Sequence, residues 1–197
     1  METDKSILKI LIKDIAIKPT ITSLAKELDL SRVGLWKVLK RMQSEKLIVL
    51  TTMGTGKTST YLVSLNWGNP ILEKVLSLAL TQDAINNQRW LNNFSELESK
   101  LDFLILYGSI LYSPKEANDI DIVAVVSDRK QFKHIEEIIA KMQKSQIKKI
   151  HALSFTQEEF AQEIRKPNKV FIDALKKGII LFGQEEFIMF MRDLRKT

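Results

Sequence analysis

Apolar residues in KSILKILIKDIAI, residues 5–17, fall at Ile7, Leu8, Leu11, Ile12 and Ile15, the spacing of one helical face. After Pro19, TITSLAKELDLS predicts a short helix to Leu28, capped by Thr20 or Thr22, and then a tight turn at Asp29 and Leu30. Ser31 can cap a longer helix, RVGLWKVLKRMQSE, with Leu35, Val38, Leu39 and Met42 inward. Its outward positions are Arg32, Val33, Trp36, Lys37 and Lys40. Two β-rich runs follow, residues 47–52 and 59–65, around a loop rich in glycine and threonine, which reads as a hairpin.

The loop contains GTGKT, which invites comparison with a nucleotide-binding P-loop. That loop needs a glycine five residues before the one preceding its lysine, and counting back from Gly56 gives Thr51. A strand-like run, STYLVSL, then follows where a phosphate-capping helix is required. The helix-turn-helix with its trailing hairpin instead resembles the winged helix-turn-helix family, carried by ITSLAKELDLSRVGLWKVLKRMQSEKLI. The resemblance implies duplex DNA as partner, with Arg32, Trp36, Lys37 and Lys40 at the major groove and Lys57 reaching a phosphate from the wing tip. For Trp36, packing against the second module is an equal alternative.

Beyond Trp67, residues 71–100 keep a helical period interrupted at Asn86 and Asn87, with no linker composition between modules. The boundary is placed near residue 80, giving domains of 1–80 and 81–197. The stripe Leu72, Val75, Leu76 and Leu80 reads as core or as the seam of a homodimer. Charge supports two modules. The chain has 197 residues and a net charge of +6, and residues 1–70 hold 11 Lys and Arg against 6 Asp and Glu. A basic first third beside a nearly neutral remainder suits a polyanion partner at the N-terminal end. The absence of cysteine excludes disulfides and thiolate chemistry, and His134 and His151 are too few for a histidine metal cage. Acids and lysines through METDKSILKILIKD argue against a signal peptide or membrane span, so a cytoplasmic location is expected.

The chemistry is concentrated in LDFLILYGSILYSPKEANDIDIVAVV, residues 101–126. A buried strand stops at Gly108-Ser109, and a second strand carries Asp119 and Asp121, two apart and therefore on one face. Paired carboxylates beside IVAVV need cations or donors, and Mg²⁺, which takes one or two carboxylates plus phosphate oxygens, suits them. Gly108 would let a phosphate approach the backbone and Ser109 could donate to it.

Gly-Ser after one strand and Asp-x-Asp on the next, ten residues after Ser109, resemble the nucleotidyltransferase superfamily of DNA polymerase beta, especially its minimal members. ALKKGIILFGQEEF, residues 174–187, is similar to the ending of those small proteins, and the resemblance spans roughly residues 86–197. It implies an α/β chain of the α+β kind, in which the winged helix-turn-helix precedes a mixed sheet flanked by helices. It further implies transfer of a nucleoside monophosphate from an NTP to an acceptor hydroxyl, with Asp119 and Asp121 holding Mg²⁺ and Gly108 and Ser109 gripping the triphosphate. A partner protein could supply that hydroxyl, as for antitoxin-like members. The family's basic residue after Gly-Ser is not matched by ILYSPKE, where Lys115 is the nearest cation, and its third carboxylate is not matched by IKKIHALSFT. His151 is the titratable group there that could serve as a base. Glu158 and Glu159 read as a helix start, with Thr156 as cap and Glu159 closing a capping box. These departures leave a second reading open, a transcriptional regulator whose degenerate transferase domain senses nucleotide or mediates assembly. The terminal EEFIMFMRDLRKT carries more apolar residues than one core face needs, which points to a contact surface.

Overall fold

The computed structural model describes residues 2–14, 18–54, 60–166 and 169–195. Helix α1 (Glu2–Lys13) opens with Glu2 and Asp4, acids that complement the positive end of a helix, and buries Ile7, Leu8, Leu11 and Ile12. Ile15, the last expected inward position, lies outside the described residues. Helix α2 (Ile21–Glu27) is capped by Thr20: its hydroxyl accepts from the Ser23 N–H, and the Thr20 N–H donates to Ser23 Oγ. Asp29 turns the chain with φ of 52°, and Ser31 then caps α3 (Arg32–Ser44) by accepting from the Gly34 N–H at 3.0 Å. Leu35, Leu39 and Met42 are buried and Val38 half-buried.

Strands β1 (Ile48–Met53) and β2 (Thr60–Leu65) pair antiparallel, Ile48 opposite Leu65 and Met53 opposite Thr60. Val63 N–H donates to the Pro19 carbonyl and Thr20 bridges Leu62, so the segment before α2 runs beside β2. Lys57, the expected phosphate contact, lies outside the described residues. Helix α4 (Pro70–Ile85) buries Leu72, Leu76 and Leu80, with Val75 half-buried. It ends before Asn86, and α5 (Gln88–Phe94) begins after Asn87, where the asparagines interrupt the helical period.

The chain is mixed α+β and divides into two compact units, Met1–Ala79 and Leu80–Thr197. The second is built on a four-stranded mixed sheet in the order β5-β4-β3-β6, where β3 is Phe103–Tyr107, β4 Asp119–Val126, β5 Lys149–Thr156 and β6 Ile179–Phe182. β4 and β5 run parallel, and β3 is antiparallel to both its neighbours. Side-chain alternation separates the two faces. On one, Leu104, Leu106, Ile120, Ile122 and Ala124 join Trp90 and Phe94 of α5 and Ile135, Ile138 and Met142 of α6 (Phe132–Gln143) in a single core.

The other face is aromatic. Phe103 contacts Phe160 of α7 (Gln157–Arg165) and Phe187 and Phe190 of α9 (Gln184–Leu194), with ring centroids 5.6, 5.4 and 5.5 Å apart. Phe160 also meets Phe171 of α8 (Lys169–Lys177) at 5.8 Å. Edge and tilted geometries at these distances add to the stabilisation from burial alone. The apolar surplus expected of the last helix is taken up here, since Phe187, Ile188, Phe190 and Met191 are buried and Met189 alone of the group is exposed. No helix among the described residues is long and apolar enough to cross a membrane.

Candidate functional site

β4 begins with Asp119. Its even positions Ile120 and Ile122 enter the core, which turns Asp119 and Asp121 to the opposite face. Register then sets their neighbours: Asp121 lies opposite Tyr107 on β3 and opposite His151 on β5, while Asp119 lies opposite Lys149. Directly paired residues share a face, so strand pairing gathers Tyr107, Asp119, Asp121, Lys149 and His151 at one end of the sheet. The spacing of the chain had pointed to the two aspartates and to His151. Tyr107 and Lys149 become visible only with the pairing.

His151 Nδ1 stands 3.2 Å from Asp119 Oδ2 and 3.7 Å from Asp121 Oδ1. One ligand atom from each of the three residues lies within 4.8 Å of the others. Burial raises the Asp121 carboxyl above the usual range, the Asp119 charge raises it further, and His151 opposes both. The Tyr107 hydroxyl is raised as well, first by burial and then by Asp121 and Asp119, so it stays protonated at neutral pH. Two carboxylates brought this close, with a common imidazole facing both, could hold a metal ion: carboxylate oxygens are ligands that Mg²⁺ accepts, and an imidazole can act as a further ligand or as hydrogen-bond donor.

Gly108 has φ of 86°, and a Cβ built on it would stand 2.3 Å from Asp121 Oδ2. The bare Cα therefore makes room for the carboxylate as well as permitting the backbone turn. Ser109 is exposed at the start of a 3-10 turn, Ser109–Leu111, and its carbonyl accepts from the N–H groups of Tyr112 and Ser113. In the loop beyond, Lys115 is exposed, and Lys148 Nζ donates to the Ala117 carbonyl. On β5 the position facing Asp121 is occupied by histidine, and the strand carries no acid. Glu159 closes the capping box with Thr156 and pairs with Arg129.

In the first unit, Arg32, Lys37 and Lys40 are exposed on α3. Trp36 is half-buried and packs within its own unit, on Tyr61 of β2 at 5.1 Å, with Lys40 Nζ 4.8 Å from its ring centre. Within the first unit, then, the ring partner of Trp36 is Tyr61 of the hairpin. A hollow of about 520 Å³ opens there, lined by Ile21, Arg32, Val33, Trp36, Thr60 and Tyr61. Comparison with protein-family models, curated proteins and solved structures finds no match for this chain.

Proposed function

We propose that this chain is a DNA-binding protein whose second unit is a Mg²⁺-dependent nucleotidyltransferase, moving a nucleoside monophosphate from an NTP to an acceptor hydroxyl. The three helices and hairpin of the first unit are read as a winged helix-turn-helix, and the second unit's mixed sheet as that of the polymerase beta superfamily. The observation carrying the reading is the convergence of Asp119, Asp121 and His151 beside Gly108. In this reading Asp119 and Asp121 hold the metal, which supplies charge neutralisation for the triphosphate. Gly108 keeps the Asp121 carboxylate seated, and the exposed Ser109 hydroxyl donates to phosphate oxygens. The acceptor oxygen bonds to the α-phosphorus, the bond from that phosphorus to the bridging oxygen breaks, and pyrophosphate leaves with the electron pair. With His151 Nδ1 directed at Asp119, Nε2 is the ring nitrogen left to take the hydroxyl proton. The acceptor belongs to a nucleic acid, a small molecule or a partner protein.

A second reading, a regulator that senses nucleotide without transferring it, is favoured by one observation: β5 sets histidine where the family sets a third acid. Calorimetric titration of ATP and the other triphosphates, with and without Mg²⁺, tests the donor site in wild type and Asp119→Asn. Mg²⁺-dependent binding lost in the variant supports an intact donor site. Absence of binding by any triphosphate overturns the transferase proposal. The two readings part on turnover: a transferase shows pyrophosphate release on addition of acceptor, and His151→Gln lowers that rate by about a hundredfold or more while nucleotide binding persists.

A further inference from the structure

We infer that α3 reads duplex DNA through the 5-methyl groups of thymine and so favours A·T-rich sites; the inference rests on the reading of the first unit as DNA-binding. The outward positions of α3 are Arg32, Val33, Trp36, Lys37 and Lys40. None is an asparagine or glutamine that could grip adenine, and none is an acid that could accept from cytosine. Trp36 is held by Tyr61 and Lys40, so it forms a fixed wall rather than a free probe. Val33, in the first turn, is 69% exposed and is the most exposed large hydrophobic among the described residues of the first unit. It shares the hollow with Ile21, Trp36 and Tyr61.

This apolar patch needs an occupant with apolar contact points on a polyanion, because Arg32, Lys37 and Lys40 stand exposed on the same helix and no acid among the described residues lines the hollow. In the major groove the apolar group presented by a base pair is the thymine methyl. The cations position the helix on phosphates, while Val33, flanked by the Trp36 wall, covers methyl groups. Specificity then comes from shape and burial at the patch.

The test is fluorescence-anisotropy titration of the full chain with a short dA·dT duplex and with the same duplex carrying deoxyuridine for thymidine, which deletes only the methyl groups. The expected result is tighter binding of the thymine duplex, by about threefold to fourfold per methyl covered. Val33→Ala should bring that ratio close to one with the salt dependence retained, and its exposed position keeps the fold out of the comparison. Equal affinity for the two duplexes, or a ratio that Val33→Ala leaves unchanged, overturns methyl readout while DNA binding stands. No duplex binding even at low salt overturns the DNA-binding reading itself, and points the patch toward an acidic protein partner.

Discussion

At the scale of single residues, the most informative is Asp121. Its carboxyl is held above the ordinary range by burial first and by Asp119 second, so the folded chain binds that proton more tightly than the unfolded chain does. The sign follows: metal-free protein loses stability as pH rises through the folded pKa and regains it as pH falls back toward the ordinary carboxylate value. Asp121→Asn should therefore be more stable than wild type at neutral pH and lose that part of the pH dependence; under the proposed transferase reading it should also abolish Mg²⁺-dependent nucleotide binding. Urea unfolding of the metal-free proteins across the acidic range checks both; a variant less stable than wild type at neutral pH counts against the account. Gly108→Ala probes the same carboxylate from the other side. Its Cβ would collide with Asp121 Oδ2, and φ of 86° strains any side chain. The expected cost is about 1–3 kcal/mol and, under the proposed transferase reading, nucleotide binding is lost even though both aspartates remain. Thermal denaturation beside calorimetry separates the two effects.

At the scale of elements, caps and strand faces differ in how far the sequence discloses them. Ser31 before α3, and Thr156 with Glu159 before α7, were legible because a cap is settled within four residues of chain. Ser31→Ala should cost about 1 kcal/mol of first-unit stability, read by thermal unfolding. The aspartate pair was legible for the same local reason, since a strand alternates. Tyr107 and Lys149 were not, because they join the site through the antiparallel register of β3 on β4 and the parallel register of β5 on β4. Parallel pairing couples strands separated by a helix, and nothing in the twenty-odd intervening residues fixes the register. The aromatic face was half legible: the apolar surplus of the terminal stretch stood out, but Phe103 and Phe160, which its Phe187 and Phe190 pack against, come from distant parts of the chain. Phe103→Ala, at 0% exposure, should cost about 3–5 kcal/mol, measured by denaturant unfolding of the second unit.

At the scale of the whole molecule, the two units carry different charge and different chemistry. The excess of cations lies in residues 1–70, with Arg32, Lys37 and Lys40 exposed together on α3. If these three meet phosphates, replacing all of them with alanine should lower the slope of log affinity against log salt by about 2 to 3, measured by anisotropy on duplex DNA. Any nucleotide binding of the kind proposed for the second unit should be unaffected, since the candidate metal cluster lies on β4 and β5. The second unit also contains a position with almost no freedom to vary. Gly183, between β6 and α9, has φ of 69°, and a Cβ there would fall 1.8 Å from the Asp102 carbonyl oxygen. That contact is backbone, so no rotamer change can relieve it. In a library randomised along the second unit and sorted for folded protein, position 183 should return glycine alone, even where the Asp119 and Asp121 codons drift freely.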